Sequence, residues 1–259
     1  MREMRKLLES MLVGSAVWCC AAGYTESATP GTGSSASAPT VARPLVIELF
    51  TAQGCSSCPP AEAVLGTLAT RADVLALAFH VDYWDSIGWK DRFSLPTSVA
   101  RQNQYVRTLQ LSSAYTPQFV IDGREDLNKA GSGEIQRLLG ATRVSAPVTI
   151  KNSGQEIKVS MGAATGLGEC DVDLIAYQSE ASTPVSRGEN ANRVLHEFNI
   201  VRSFRRLGDW RGTPVDWKVP VDDLPAGTDH LAVLVQRRGQ SDIIGAVALG
   251  LNAPKTKIG

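Results

Sequence analysis

The pattern of hydrophobic and polar positions changes character near residue 145. From residue 43 to about 142, near-continuous apolar runs alternate with stretches whose apolar residues recur every three or four positions. The runs are typical of buried strands and the stretches of amphipathic helices. This alternation predicts an α/β region in which crossover helices join the strands of a parallel or mixed sheet.

The α/β region at 43–142 contains three strand candidates and three helix candidates. An Asp-Gly pair follows the third strand candidate and predicts a chain reversal there. The strand candidates are "LVIELF" (45–50), "DVLALAFHV" (73–81) and "PQFVI" (117–121), and the helix candidates lie in "PPAEAVLGTLATR" (59–71), at about 97–109 and in "GSGEIQRLLGA" (131–141).

After Pro147 the chain turns to short segments of alternating apolar and polar residues. About seven strands at this spacing are typical of an antiparallel sandwich or barrel. The sequence therefore predicts two domains, an α/β domain at 43–142 and a β-rich domain at 146–252.

The N-terminus has the layout of a secretory signal peptide. Three basic residues, Arg2, Arg5 and Lys6, precede an apolar stretch that ends near Ala22. An amphipathic helix is the alternative interpretation, because Glu9 interrupts the stretch. We expect a signal peptide at 1–22, a flexible leader rich in Ser, Gly and Pro at 23–42, and a periplasmic or secreted protein. No later segment approaches the roughly 18 apolar residues of a membrane span, so none is expected after signal removal.

The charge balance argues against a nucleic-acid partner. The chain carries 26 basic and 26 acidic residues in 259 positions. Removing the predicted signal takes away three basic and two acidic groups and leaves 23 − 24 = −1. Without a basic excess there is no electrostatic basis for binding phosphate backbones.

Cys55 and Cys58 flank two serines between a predicted strand end and a predicted helix start. A disulfide that closes so short a loop constrains the unfolded chain little, which favours a chemical role over a structural one. The helix dipole at this position stabilises a thiolate. We expect Cys55 to lie on the outer, solvent-reachable side as the nucleophile and Cys58 to resolve the mixed disulfide.

Three further residues are candidates for this site. Glu48 interrupts the first apolar strand and, if buried, is suited to take the proton of Cys58; a partly exposed face is the alternative. Trp84 lies just past the second strand, where open sheets place ligands. We expect it to form a substrate-facing wall there; packing under a loop is the alternative. His80, together with the two cysteines, would suit copper or zinc; a hydrogen-bonded core histidine is the alternative.

The segments "ELFTAQGCSSCPPAE", "FHVDYWDSIGWKD" and "YTPQFVIDGR" resemble a bacterial exported family with a thioredoxin-like core, the domain of unknown function 1223. The resemblance implies a thioredoxin-like fold for 43–142. It also implies that Pro117 is a cis-proline facing the dithiol, with Thr116 and Tyr115 beside it to contact substrate. The chain departs from the common thioredoxin dithiol in having serines between its cysteines and two prolines after them.

Three hypotheses for function remain open at this point. The first is an exported thiol–disulfide oxidoreductase that acts on protein thiols or disulfides without a cofactor, through a redox partner that the sequence does not identify. The second is a metallochaperone that holds copper or zinc with Cys55, Cys58 and His80. The third is a non-enzymatic envelope binding protein whose disulfide is structural.

Overall fold

A computed structural model describes residues 43–128, 132–139, 141 and 143–251. These residues all belong to one compact unit. The predicted signal peptide at 1–22 and leader at 23–42 lie outside the described residues. The helices are α1 (Pro59–Ala69), α2 (Pro96–Thr108) and α3 (Ser132–Leu139), and the strands are β1 (Leu45–Thr51), β2 (Val74–His80), β3 (Gln118–Ile121), β4 (Glu125–Leu127), β5 (Val148–Asn152), β6 (Glu156–Met161), β7 (Cys170–Val185), β8 (Arg193–Trp210), β9 (Val215–Pro220), β10 (His230–Arg237) and β11 (Ile243–Gly250).

The described strands form a large mixed sheet and a small second sheet. The large sheet has the order β11-β10-β7-β8-β2-β1-β3-β4, and the small one β5-β6-β9. Strand β2 runs parallel to both β1 and β8, and the contact with β8 pairs Ala78 with Ile200. Strands from both predicted domains therefore belong to one continuous sheet, which the boundary expected near 142–146 does not interrupt.

Strands β1 and β2 are apolar except at Glu48, Thr51 and His80, because both faces of the sheet are covered. Every residue of β1 is buried. Leu45, Ile47 and Leu49 pack towards α1 and α3, whereas Val46 and Phe50 join the core on the opposite face. That second core also contains Tyr105 of α2 and both cysteines of the pair.

The β-rich part of the chain contributes to both sheets. Apolar residues of β5, β6 and β9 pack against one face of β7 and β10 and form a separate core there. This is a two-layer arrangement, as expected of a sandwich, but one of its layers is the extension of the central sheet. The fold is mixed α/β with few helices.

Local turn chemistry agrees with the sequence pattern at two positions. The predicted reversal at Asp122 and Gly123 is confirmed, because both residues have positive φ and they join the antiparallel strands β3 and β4. The helix expected at about 97–109 begins at Pro96, where proline fits the first turn. No helix among the described residues is long and apolar enough to cross a membrane.

Candidate functional site

The cysteine pair lies between the end of β1 and the start of α1. Cys55 and Cys58 form a disulfide with their Cα atoms 5.5 Å apart. Cys58 is the residue immediately before α1, and its carbonyl accepts the backbone N–H groups of Ala61 and Glu62. Pro59 follows as the first helical residue, where its missing N–H costs no helical hydrogen bond. The disulfide therefore lies at the positive end of the α1 dipole.

The expectation that Cys55 is open to solvent is wrong. Cys55 is 0% exposed and Cys58 1% exposed, whereas Ser56 and Ser57 between them are exposed. Cys55 Sγ lies 3.3 Å from the Ser57 hydroxyl, which donates because a disulfide sulfur has no proton. Both cysteines belong to the apolar core that contains Val46 and Phe50, and Trp84 packs against the same core.

A distant loop holds the main chain of the cysteine segment in place. Asn190, in the loop 186–192 between β7 and β8, donates from its side chain to the carbonyls of Gln53 and Cys55, each at 2.9 Å. The Ser56 N–H donates to the neighbouring Glu189 carboxylate at 3.1 Å. The loop 186–192 thus fastens the disulfide segment from outside. Sequence reasoning missed the role of Asn190, since its partners Gln53 and Cys55 lie more than 130 positions away in sequence.

The structure brings three predicted residues together beside Cys55. The Thr116–Pro117 peptide bond is cis, and the Thr116 carbonyl oxygen lies 3.9 Å from Cys55 Sγ. The Trp84 indole N–H donates to the Thr116 hydroxyl at 2.8 Å. The Tyr115 hydroxyl instead donates to the Asp126 carboxylate, at 2.8 Å from its nearer oxygen. Thr116 therefore lies beside the disulfide, with Trp84 hydrogen-bonded to it and Pro117 joined to it by the cis peptide bond.

Glu48 is buried, which its predicted role as proton acceptor required, and both of its carboxylate oxygens accept hydrogen bonds. Arg101 donates to it with two nitrogens, at 2.5 and 3.0 Å, and the Tyr105 hydroxyl makes a further short hydrogen bond. Arg101 also donates to the Gln236 side-chain oxygen at 3.1 Å. The role predicted for Glu48, accepting the proton of Cys58, competes with this ion pair for the same oxygens.

His80 is buried beside two carboxyl groups. Its Nδ1 lies 2.7 Å from the Asp91 carboxylate, and its Nε2 lies 3.9 Å from Glu62 Oε1. Burial lowers the pKa of His80, but the charges of Asp91 and Glu62 outweigh burial and raise it to about 9. Within the described ranges, no group of three or more His, Cys, Asp or Glu residues is arranged to hold a metal ion.

A cleft of about 730 Å³ opens between α1 and the first residues of β8. Cys58, Glu62 and His80 line it together with Thr51. Glu62 is 5% exposed, and burial raises its pKa to about 7, although the charge of His80 limits the rise. Sequence reasoning overlooked Glu62, yet its spacing of three residues from Leu65 already placed it on the buried face of the helix.

The fold and the site define a mixed α/β protein with a buried disulfide at the N-terminus of a helix. The chain belongs to the DUF1223 family, described as protein of unknown function, whose model matches residues 46–236. The resemblance seen in the sequence is confirmed at the level of this family.

Two solved structures are similar to the chain. The crystal structure of protein AGR_C_4864 from Agrobacterium tumefaciens is 31% identical, with a TM-score of 0.71, and the match covers 82% of this chain and 96% of that one. HBP35 of Porphyromonas gingivalis shares the fold at 13% identity and a TM-score of 0.53, with 81% and 75% covered. No curated protein matches the chain.

Proposed function

We propose that this protein is an exported thiol–disulfide oxidoreductase with a thioredoxin-like arrangement around Cys55 and Cys58. The observation that carries the proposal is the position of the disulfide, at the N-terminus of α1 and against the Thr116–Pro117 segment. The N-terminal sequence supports export, and protein thiols or disulfides are the proposed partners. No cofactor is required, because the sulfurs themselves carry the electrons.

The reaction is an exchange between this disulfide and a dithiol. A substrate thiolate attacks Cys55 Sγ, the Cys55–Cys58 bond breaks, and its electron pair leaves on Cys58 Sγ. The second substrate thiolate then attacks the sulfur bonded to Cys55, which releases Cys55 as a thiolate and oxidises the substrate. The dipole of α1 stabilises thiolate on both cysteines, and the reverse sequence oxidises the protein and reduces a substrate disulfide.

Burial of both sulfurs adds a condition to this proposal. Because Cys55 is 0% exposed, a substrate thiolate reaches it only after a local opening, and we propose that the cysteine segment then separates from the loop 186–192, to which Asn190 fastens it. Local openings of this kind have free energies well below that of global unfolding. The contact between Ser56 and Glu189 is exposed, so it contributes little to keeping the loop closed.

Insulin reduction tests the proposal, with Cys55→Ser as the inactive variant. The matched control is Cys170→Ala, since Cys170 is a free cysteine buried in the other core. We expect Cys55→Ser to abolish turnover and Cys170→Ala to keep it. Equal rates for wild type and Cys55→Ser would exclude the enzyme.

Burial also favours a second candidate, a binding protein of the cell envelope whose disulfide is structural. The two cysteines of this disulfide are 0% and 1% exposed. Such a disulfide resists exchange as long as no local opening exposes its sulfurs. Structural disulfides have reduction potentials below about −300 mV, and those that exchange have higher ones. The reduction potential of the native protein therefore separates the two candidates.

A further inference from the structure

The floor of the cleft between α1 and β8 carries buried polar atoms without hydrogen-bond partners. Both carboxyl oxygens of Glu62, Nε2 of His80 and the hydroxyl of Thr51 make no hydrogen bond with the protein. A buried polar atom left unpaired destabilises the fold, so such groups are retained in proteins where they have a use. The three residues that carry these four atoms all line one cleft, together with Cys58.

Glu62 lies one helical turn beyond Cys58. The Glu62 backbone N–H donates to the Cys58 carbonyl at 3.1 Å, so the two residues have the i, i+4 relation of a regular helix. Side chains at this spacing project from the same face and meet each other. Both residues line the cleft, and both are almost fully buried at its floor.

The groups that face Glu62 come from every element around the cleft. His80 of β2 presents its Nε2 at 3.9 Å, and Asp91 and Glu197 add negative charge nearby. Both oxygens of Glu197 are already occupied, by Gln53 at 2.7 Å and Thr183 at 2.6 Å. On β8, Arg193 and His196 also line the cleft. Glu62 is therefore the carboxyl group on this floor whose oxygens remain free to exchange a proton.

We propose that Glu62 is the group that gives a proton to Cys58 when the disulfide is reduced and takes it back when the disulfide forms. The proposal rests on the redox function proposed above and names the acid–base residue of that site. Glu62 replaces Glu48 in this role, because the oxygens of Glu48 are held by Arg101 and Tyr105.

The proton balances the exchange. When a substrate thiolate attacks Cys55, the Cys58 sulfur leaves with an electron pair and takes the proton of the Glu62 carboxylic acid, directly or through one water molecule. The carboxylate that remains lies next to the positively charged His80 and recovers a proton from solvent through the cleft. In the oxidative direction, the Glu62 carboxylate removes the Cys58 proton, and the thiolate attacks the mixed disulfide at Cys55. The titration of Glu62 near neutral pH suits a group that works in both directions.

The test is the rate at which dithiothreitol reduces the native full-length protein between pH 5.5 and 9, corrected for the thiolate fraction of the reagent. We compare wild type with Glu62→Gln, with Glu62→Asp, and with Glu180→Gln as a control at an exposed position of β7. Positioned acids contribute about 10²-fold or more, so we expect Glu62→Gln to be about a hundredfold slower at pH 6.5. We also expect Glu62→Gln to lose the bend in the pH profile near pH 7, Glu62→Asp to keep the bend at a reduced rate, and Glu180→Gln to match wild type.

Thermal melts establish that each variant is folded before its rates are compared. A Glu62→Gln profile that keeps both the rate and the bend overturns the inference, whatever the activity on insulin. A lost bend in a protein without insulin activity supports the role of Glu62 and counts against the oxidoreductase. A native disulfide that dithiothreitol does not reduce at any of these pH values overturns both.

Discussion

Two buried glutamates flank the disulfide segment, and their surroundings are opposite. Glu48 on β1 binds Arg101 with both oxygens and accepts a further hydrogen bond from Tyr105. Glu62 on α1 has no ion pair like that of Glu48: no hydrogen bond to its oxygens has normal geometry, although Thr51 lies close enough to lower its pKa, and it lines a cleft with Cys58. A carboxylate with all its partners is fixed in charge and position, whereas one without them is free to exchange protons. Burial alone therefore does not identify an acid–base residue.

The largest effect is expected from breaking the Glu48 ion pair. Replacement of Arg101 by Met leaves a buried carboxylate without its partner, and such losses cost about 3–5 kcal/mol. We expect Arg101→Met to lower the free energy of unfolding by that amount, measured in urea with the disulfide intact. The double variant Glu48→Leu with Arg101→Met removes both charges and should recover most of the loss. A single variant as stable as wild type would show that the pair is not structural.

The Glu62 side of the comparison predicts a fall in stability with rising pH. The pKa of Glu62 rises on folding from 4.5 to about 7, and that of His80 from 6.5 to about 9. The folded state therefore holds protons that the unfolded chain releases, and the stability they provide is complete below about pH 4.5 and lost as the pH rises through 7 and then 9. For Glu62 the loss is on the order of 3 kcal/mol.

Unfolding free energies at pH 5 and pH 8 check this prediction, with Glu62→Gln as the comparison. The variant lacks the carboxyl group, so its stability relative to wild type should increase between the two pH values. The remaining decline above pH 6.5 belongs to His80. A constant difference between the two proteins would contradict a raised pKa for Glu62.

The smallest effect is expected from weakening the loop 186–192, which fastens the disulfide segment. Asn190→Ala removes two buried hydrogen bonds, to the carbonyls of Gln53 and Cys55, and leaves those carbonyls unpaired. We expect a loss of about 1–3 kcal/mol in stability. If the lost stability belongs to the closed state of the loop 186–192, the loop opens more often. Reduction by dithiothreitol then becomes about tenfold faster, because 1.4 kcal/mol corresponds to a factor of ten. Asn103→Ala, on the exposed side of α2, is the control, and an unchanged reduction rate in Asn190→Ala would argue against the loop as the cover.

The parts of the site that depend on local sequence were predictable. The apolar run of β1, the Asp-Gly turn and the position of Cys58 before a helix follow from neighbouring residues alone. The burial of Cys55 does not, because the residues around it, Thr116 near its sulfur and Asn190 on its carbonyl, are 61 and 135 positions away in sequence. The same holds for the continuation of the sheet, since a pattern within β2 carries no information that Ala78 pairs with Ile200.

The acid–base role predicted for Glu48 depended on its burial in an apolar strand and took no account of its ion-pair partner. The pattern identified its burial, but its partner Arg101 lies on α2, 53 positions further along the chain. Long-range ion pairs of this kind leave no periodic signal. Glu62 does have a signal: its helical spacing places it on the same face as the apolar residues of α1.

The reduction potential of the Cys55–Cys58 disulfide tests the central claim most directly. The native full-length protein is equilibrated with dithiothreitol buffers of stated ratio, and the reduced fraction is measured by mass after alkylation under denaturing conditions. The proposed oxidoreductase predicts a potential above about −300 mV, within the range of disulfides that exchange. A potential below that value, or no reduction without unfolding, would contradict it and leave the disulfide as a structural crosslink.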